Sequence, residues 1–230
     1  MKCELLGQGG KGVTHWSALP IHEFPAMTNG RDAPLFGYNA PTLALNCLLS
    51  NFPGSREAAL VLDVACGTGL IAKLMSELGF RHFVGVDGSK GMLEQAAETG
   101  LYQDLRPALL GTQPLPAQAD MFDVVIMVGA LGVGFVPVSV VRELCQATKP
   151  GGFVCMTRGD HRVESTYQFK ADLEKEFQLM EEEGLWTCVE AKETDKYMRN
   201  VYDINMRDMR DVQEEEYISG SVYLYRKSIK

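Results

Sequence analysis

Two acids and two glycines are the residues of this 230-residue chain best placed to do chemistry: Asp63, Gly67, Gly69 and Asp87. Asp63 lies in the run Val61-Leu62-Asp63-Val64-Ala65-Cys66-Gly67-Thr68-Gly69, an apolar strand that ends in a glycine-rich turn. Gly67 and Gly69 can take positive φ and let a ligand approach the backbone. A helix starting near Leu70 then aims its free N–H groups at that ligand. Asp87 closes a second apolar strand, Phe83 to Val86, at the place where a doubly wound sheet presents a carboxylate to a ribose diol. Types and spacing together describe a device that cradles a nucleotide.

Two ligand classes fit these residues. Gly67-Thr68-Gly69-Leu70-Ile71-Ala72 matches the dinucleotide fingerprint G-x-G-x-x-G/A, with Asp87 following at the usual distance. Asp63 separates the two. A carboxylate at the end of the strand repels a pyrophosphate, whereas it suits a cation such as the sulfonium and ammonium of S-adenosylmethionine. A third reading makes Asp63 a buried structural acid bonded to the N–H groups of its own turn.

Other chemistries find little footing. His15, His22, His82 and His161 lack metal-ligand spacing, so no metal is expected, and no G-x-S-x-G elbow is present. Cys66 follows the first strand, where it reads as a small residue packed under the turn rather than a nucleophile. Asp160 and His161 follow a later strand and could act as a base, but both read as loop residues, so no catalytic residue is assigned.

The elements that must hold this cradle follow from length and pattern. At 230 residues and 46% apolar content, one α/β domain with a sizeable core is expected. A net charge of -8 and a pI near 5.1 argue against a basic nucleic-acid footprint or an anionic membrane surface. The six cysteines (3, 47, 66, 145, 155 and 188) form no regular framework and read as reduced thiols, which places the chain in the cytoplasm or nucleus. No targeting signal is visible. Val124 to Val141 runs 18 residues without a charge, yet Gly129, Gly132, Gly134 and Pro137 break it into a buried strand, a loop and a helix start rather than a membrane span.

Residues 1–33 show no helical or alternating period and read as a loosely ordered lead-in, leaving 34–230 as the domain. A helix is expected from Thr42, with Thr42 as its cap and Leu45, Leu48 and Leu49 on one face. Strands and helices then alternate: Leu60 to Val64, Ile71 to Leu78, His82 to Val86, Met92 to Ala97, a weak strand at Leu105 to Leu110, and Phe122 to Val128. A helix carrying Val140, Val141, Leu144 and Cys145 is stopped by Lys149-Pro150-Gly151-Gly152 before a strand from Phe153 to Thr157. Phe169, Leu173, Phe177 and Met180 line a further helix that stops at Gly184. Leu185 to Ala191 and Ser221 to Arg226 form a terminal antiparallel pair, and the charged stretch Lys192 to Glu216 between them is a solvated loop.

L-D-V-A-C-G-T-G (62–69), G-V-D-G-S-K-G-M-L-E-Q-A (85–96), F-D-V-V (122–125) and K-P-G-G (149–152) together resemble the class I S-adenosylmethionine-dependent methyltransferases. The run from about Ala40 to Gly152 is similar, more narrowly, to a group of animal methyltransferase-like proteins. The resemblance implies a Rossmann-like, doubly wound, mostly parallel seven-stranded sheet with a C-terminal antiparallel hairpin. It implies S-adenosylmethionine as cofactor, with Asp63, Ala65 and Gly67 lining the methionine end and Cys66, Thr68 and Gly69 among the cofactor-binding residues. Asp87 would hold the ribose hydroxyls with Gly88 beside it among the cofactor-binding residues, Ser89 and Met92 would flank the adenine, and Val128 and Gly129 would stand near cofactor and acceptor.

Two segments depart from the family pattern. Gly111-Thr112-Gln113-Pro114-Leu115-Pro116 lacks the acid that accepts the adenine amino group, leaving Thr112 or the backbone to do so. Residues 1–33 contain no tyrosine- and tryptophan-bearing helix of the kind that covers the cofactor in relatives. The expected activity is methyl transfer to a small-molecule or protein acceptor by in-line displacement. The alternative is a non-catalytic module that binds the cofactor or a partner. The acceptor and the oligomeric state are not written in the sequence.

Overall fold

A computed structural model of the chain describes residues 37–160, 164–199 and 217–229. The lead-in 1–33 and His161 fall outside these described residues. Twelve elements follow in the order α1 (Ala40–Asn51), β1 (Leu60–Val64), α2 (Leu70–Glu77), β2 (His82–Asp87), α3 (Lys90–Glu98), β3 (Tyr102–Pro107), β4 (Phe122–Val128), α4 (Val140–Ala147), β5 (Thr148–Asp160), α5 (Glu164–Glu182), β6 (Trp186–Arg199) and β7 (Tyr217–Lys227). The strands form one sheet in the order β3-β2-β1-β4-β5-β7-β6. The first five run parallel; β7 pairs antiparallel with both β5 and β6. This is the expected doubly wound, mostly parallel seven-stranded sheet with an antiparallel C-terminal pair.

Parallel strands covered on both faces read as nearly continuous apolar runs, and β1 and β4 do so. On one face α1 and α2 press Ala44, Leu45, Leu48, Ile71 and Met75 against Val61, Phe83, Val124 and Ile126. On the other, α4 and α5 press Val140, Leu144, Leu173, Phe177 and Met180 against Leu62, Val84, Val125 and Val154. The uncharged stretch 124–141 divides as expected into β4, a glycine loop and the start of α4. No helix among the described residues is long and apolar enough to cross a membrane. The α5 aromatics belong to the core: Phe177 meets Trp186, Tyr223 and Tyr225, and Trp186 stacks on Tyr225 with centroids 4.2 Å apart.

Four boundaries differ from the sequence expectation. Thr42 is not a cap, because α1 begins at Ala40 behind Asn39 with Pro41 in its first turn, a position that suits proline's fixed φ and missing N–H. The weak strand lies at Tyr102–Pro107, not 105–110. Its pairing with Phe83–Asp87 sets its register, and Gln103 and Asp104 face water as residues of an edge strand can. Thr148–Gly152 do not precede β5 but belong to it, with a register irregularity against β4 between Phe122 and Val124. The charged stretch is not a loop from Lys192: β6 continues to Arg199 by pairing with β7, and only 200–216 fall outside the described residues.

Candidate active site

The carboxyl ends of β1, β2 and β4 carry the sequence-predicted residues, at the edge where open α/β sheets bind ligands. After β1 the backbone passes through left-handed φ at Ala65 (55°), Gly67 (55°) and Gly69 (89°) before α2 begins. The turn is closed by Gly69 N–H donating to the Cys66 carbonyl at 3.0 Å and by Cys66 N–H donating to the Val86 carbonyl at 3.0 Å. A Cβ on Gly67 would meet only the Met92 sulfur, at 3.7 Å, so the space above this glycine is lined by one soft apolar atom.

Asp87 organises the cradle. One carboxylate oxygen accepts the Gly67 N–H and the other the Ser89 N–H, each at 2.8 Å. Each oxygen keeps a further lone pair, so the same side chain can still accept two hydroxyls. Ser89 caps α3 by accepting the Met92 N–H, which fixes the helix start beside the turn. The Asp87 carbonyl accepts the Ala108 N–H at 3.0 Å, and Leu109 packs against Gly88.

Asp63 sits beneath the turn, 1% exposed. It accepts a hydrogen bond from the Tyr102 hydroxyl at 2.7 Å and another from the Ala72 N–H. Burial pushes its carboxyl up to about 7; the Tyr102 hydroxyl opposes that rise and the nearby Asp87 charge adds to it. Burial also drives the Cys66 thiol well above the usual range, with Asp63 and Asp87 adding to the rise, so this cysteine is no nucleophile.

A second group of hydroxyls stands at the ends of β4 and β5. Gly129 (φ 74°) follows Val128, and its N–H donates both to the Thr157 carbonyl at 3.2 Å and to Thr157 Oγ1 at 3.1 Å. Thr157 Oγ1 is 3.1 Å from the Tyr197 hydroxyl, which is hydrogen-bonded to Tyr38. A Cβ on Gly129 would lie 2.1 Å from the Tyr38 hydroxyl oxygen. Burial pushes the Tyr38 hydroxyl up to about 12 and raises that of Tyr197, so both stay protonated at neutral pH.

The fold thus gathers Asp63, Ala65, Cys66, Gly67, Thr68, Gly69, Asp87, Gly88, Ser89 and Met92 around one turn, with Val128 and Gly129 on the next strand. Thr112 is exposed and its hydroxyl donates to the Leu109 carbonyl of its own turn, keeping the acceptor capacity its expected role needs. Asp160 is paired with Arg158 at 2.6 Å. Sequence reasoning missed Tyr102, Tyr38, Tyr197 and Thr157. A signal for Tyr102 existed in Gly85, a glycine between valines in mid-strand, since such a glycine marks a close approach.

The sheet order and connections are those of the class I methyltransferase fold, and residues 61–152 match the family described as "Methyltransferase domain". The chain is similar to human Methyltransferase-like protein 27, 45% identical over 166 residues that cover 72% of this chain and 66% of the human protein. It is also similar to the ubiquinone biosynthesis O-methyltransferase of Caulobacter vibrioides, 29% identical over 64% of this chain and 66% of that enzyme. The chain therefore spans just under two thirds of the length of these relatives. Among solved structures, an S-adenosylmethionine-dependent methyltransferase from Mesorhizobium loti shares the fold, with a TM-score of 0.53 and 16% identity over 80% of this chain and 98% of that one.

Proposed function

We propose that this chain binds S-adenosylmethionine in the 63–92 cradle and transfers its methyl group to a small-molecule or protein acceptor. The observation that carries the reading is the Asp87 carboxylate, which is held by two backbone N–H groups and keeps acceptor capacity for a ribose diol. The donor set fits the rest of the cofactor. Gly67 leaves open space, Met92 offers a polarizable face to a base, and the acids Asp63 and Asp87 favour a cation over a pyrophosphate.

Bound there, S-adenosylmethionine supplies an activated methyl on a good leaving group. What remains for the chain is to align the acceptor with that methyl and to exclude water. The Asp87–Gly67–Ser89 bonds fix the cradle, and Val128 and Gly129 form its wall on the acceptor side. The acidic net charge and the Caulobacter relative's role in ubiquinone biosynthesis support a small-molecule acceptor over a nucleic acid. We further read residues 34–230 as one domain. The buried thiols of Cys47, Cys66, Cys145 and Cys155 support a cytoplasmic or nuclear setting.

Thermal unfolding with S-adenosylhomocysteine, with NAD and with no ligand tests the reading. Ligand at a hundred times its dissociation constant stabilises by about 2.7 kcal/mol, a shift of several degrees. The expected result is that shift with S-adenosylhomocysteine alone, abolished in Asp87→Ala. A shift with NAD instead would replace the cofactor, and no shift at all would leave the partner-binding reading.

A further inference from the structure

Tyr102 belongs to no motif of the cradle, yet it reaches Asp63, Cys66 and Gly69. It is the first residue of β3 and pairs with Phe83, two residues before Gly85 on β2. Because Gly85 has no side chain, the Tyr102 ring crosses over it towards β1. A Cβ on Gly85 would lie 2.9 Å from the ring, and one on Gly69 3.1 Å from its other edge. The crossing ends at Asp63, where the hydroxyl donates at 2.7 Å. Asp63 also accepts the N–H of Ala72, in the first turn of α2. That helix has no side-chain cap of its own, since its N-cap is Gly69. One buried carboxylate therefore caps α2 from below, and one tyrosine hydroxyl orients that carboxylate.

We propose that Tyr102 is a positioning residue of the cofactor site: its hydroxyl holds the Asp63 carboxylate beneath the glycine turn and so sets how the cradle answers a cationic cofactor. The inference rests on the S-adenosylmethionine reading above. The titratable groups that face Asp63 are Tyr102 from β3, Cys66 from the turn and Asp87 from β2; its register partner on β4, Ile126, is apolar. Of these, only Tyr102 stabilises the ionised carboxylate, and a sulfonium or ammonium bound above it favours the same form. A hydroxyl outside every motif thus tunes affinity for a charged ligand.

Calorimetric binding of S-adenosylmethionine from about pH 5.5 to about pH 8.5 separates this role from simple packing. In the wild type, affinity rises as Asp63 ionises, through about pH 7. In Tyr102→Phe the midpoint moves up by about one pH unit, so affinity falls about fivefold at neutrality and about tenfold at the acidic end, while the two proteins converge at the alkaline end. In Asp63→Asn the rise is absent, and adding Tyr102→Phe lowers affinity no further. A loss that is uniform across pH, or an unmoved midpoint, overturns the proposal.

A second readout needs no ligand. Carbon-13 titration of the Asp63 carboxyl gives a higher midpoint in Tyr102→Phe, and an unchanged midpoint overturns the proposal even if S-adenosylmethionine binds. If the wild type binds no S-adenosylmethionine while the carboxyl midpoint still moves, the cofactor reading has failed and Tyr102 only tunes a buried acid. Should Tyr102→Phe fold poorly, site-specific 3-fluorotyrosine at 102, a stronger donor, moves the midpoint down; no movement overturns the proposal.

Discussion

The two halves of the sheet solve the same packing problem with different materials. In the half β3-β2-β1, Tyr102 crosses one glycine, Gly85, to reach Asp63, and every partner lies within a stretch of about 40 residues. In the half β4-β5-β7-β6, Tyr197 crosses two, Gly159 and Gly220, to reach Thr157, and Tyr38 joins from the other end of the chain. Asn39 is bonded to the Lys196 carbonyl 157 residues away, and its N–H to that of Tyr197. The first crossing ends on a carboxylate that titrates near neutrality, the second on neutral hydroxyls that do not. A local arrangement holds the acid beneath the turn, and a long-range one joins neutral hydroxyls beside Gly129.

If the halves differ in this way, damage to one should stay out of the other. The largest effect is expected from Trp186→Ala. Removing this fully buried ring, which stacks on Tyr225, should cost about 3–5 kcal/mol. Urea unfolding would measure the loss, and S-adenosylhomocysteine affinity of the folded fraction should hardly change. A parallel loss of affinity would show the two halves to be one unit.

Asp63→Asn makes the opposite test. The folded-state value of Asp63, about 7, lies above its ordinary 3.8, so the native protein keeps a proton that the unfolded chain releases between those values. Wild-type stability from this group is therefore full below about pH 4 and lost as pH rises to about 7, a swing of up to ~4 kcal/mol. The amide lacks that slope. Denaturant midpoints of both proteins across this window should approach or cross as pH rises, and parallel curves would place the charge elsewhere.

Smaller effects compare the glycines. Gly220→Ala brings a Cβ to 2.3 Å from the Tyr197 ring and 2.6 Å from the Arg158 carbonyl. Gly85→Ala brings one to 2.6 Å from Leu105 and 2.9 Å from Tyr102. Each should cost about 1–3 kcal/mol by overpacking, but only Gly85→Ala should also weaken S-adenosylhomocysteine in a binding titration. Least is expected of Tyr197→Phe, about 1 kcal/mol for its hydrogen bonds in thermal unfolding, with cofactor affinity unchanged.

Legibility followed the same divide. The turn 65–69 could be read because its residues are neighbours along the chain, and Asp87 because it closes an apolar strand at the usual interval after the glycines. β1, β2 and β4 could be read because strands buried on both faces are apolar throughout. β3 and the end of β6 are hard to read from sequence because both are edge strands, where one exposed side admits Gln103, Asp104 or Lys192 without loss of pairing.

The sequence by itself determined the sheet's parallel core, the glycine turn and the acid that closes the second strand, since each depends on local backbone conformation and the periodicity of neighbouring side chains. Only the tertiary structure decided what Asp63 bonds to, that Tyr102 reaches it across Gly85, and that Tyr38, Thr157 and Tyr197 meet beside Gly129. Those contacts join residues on different elements of the fold. No spacing along the chain encodes them, because register and strand order, not sequence distance, set which side chains share a face.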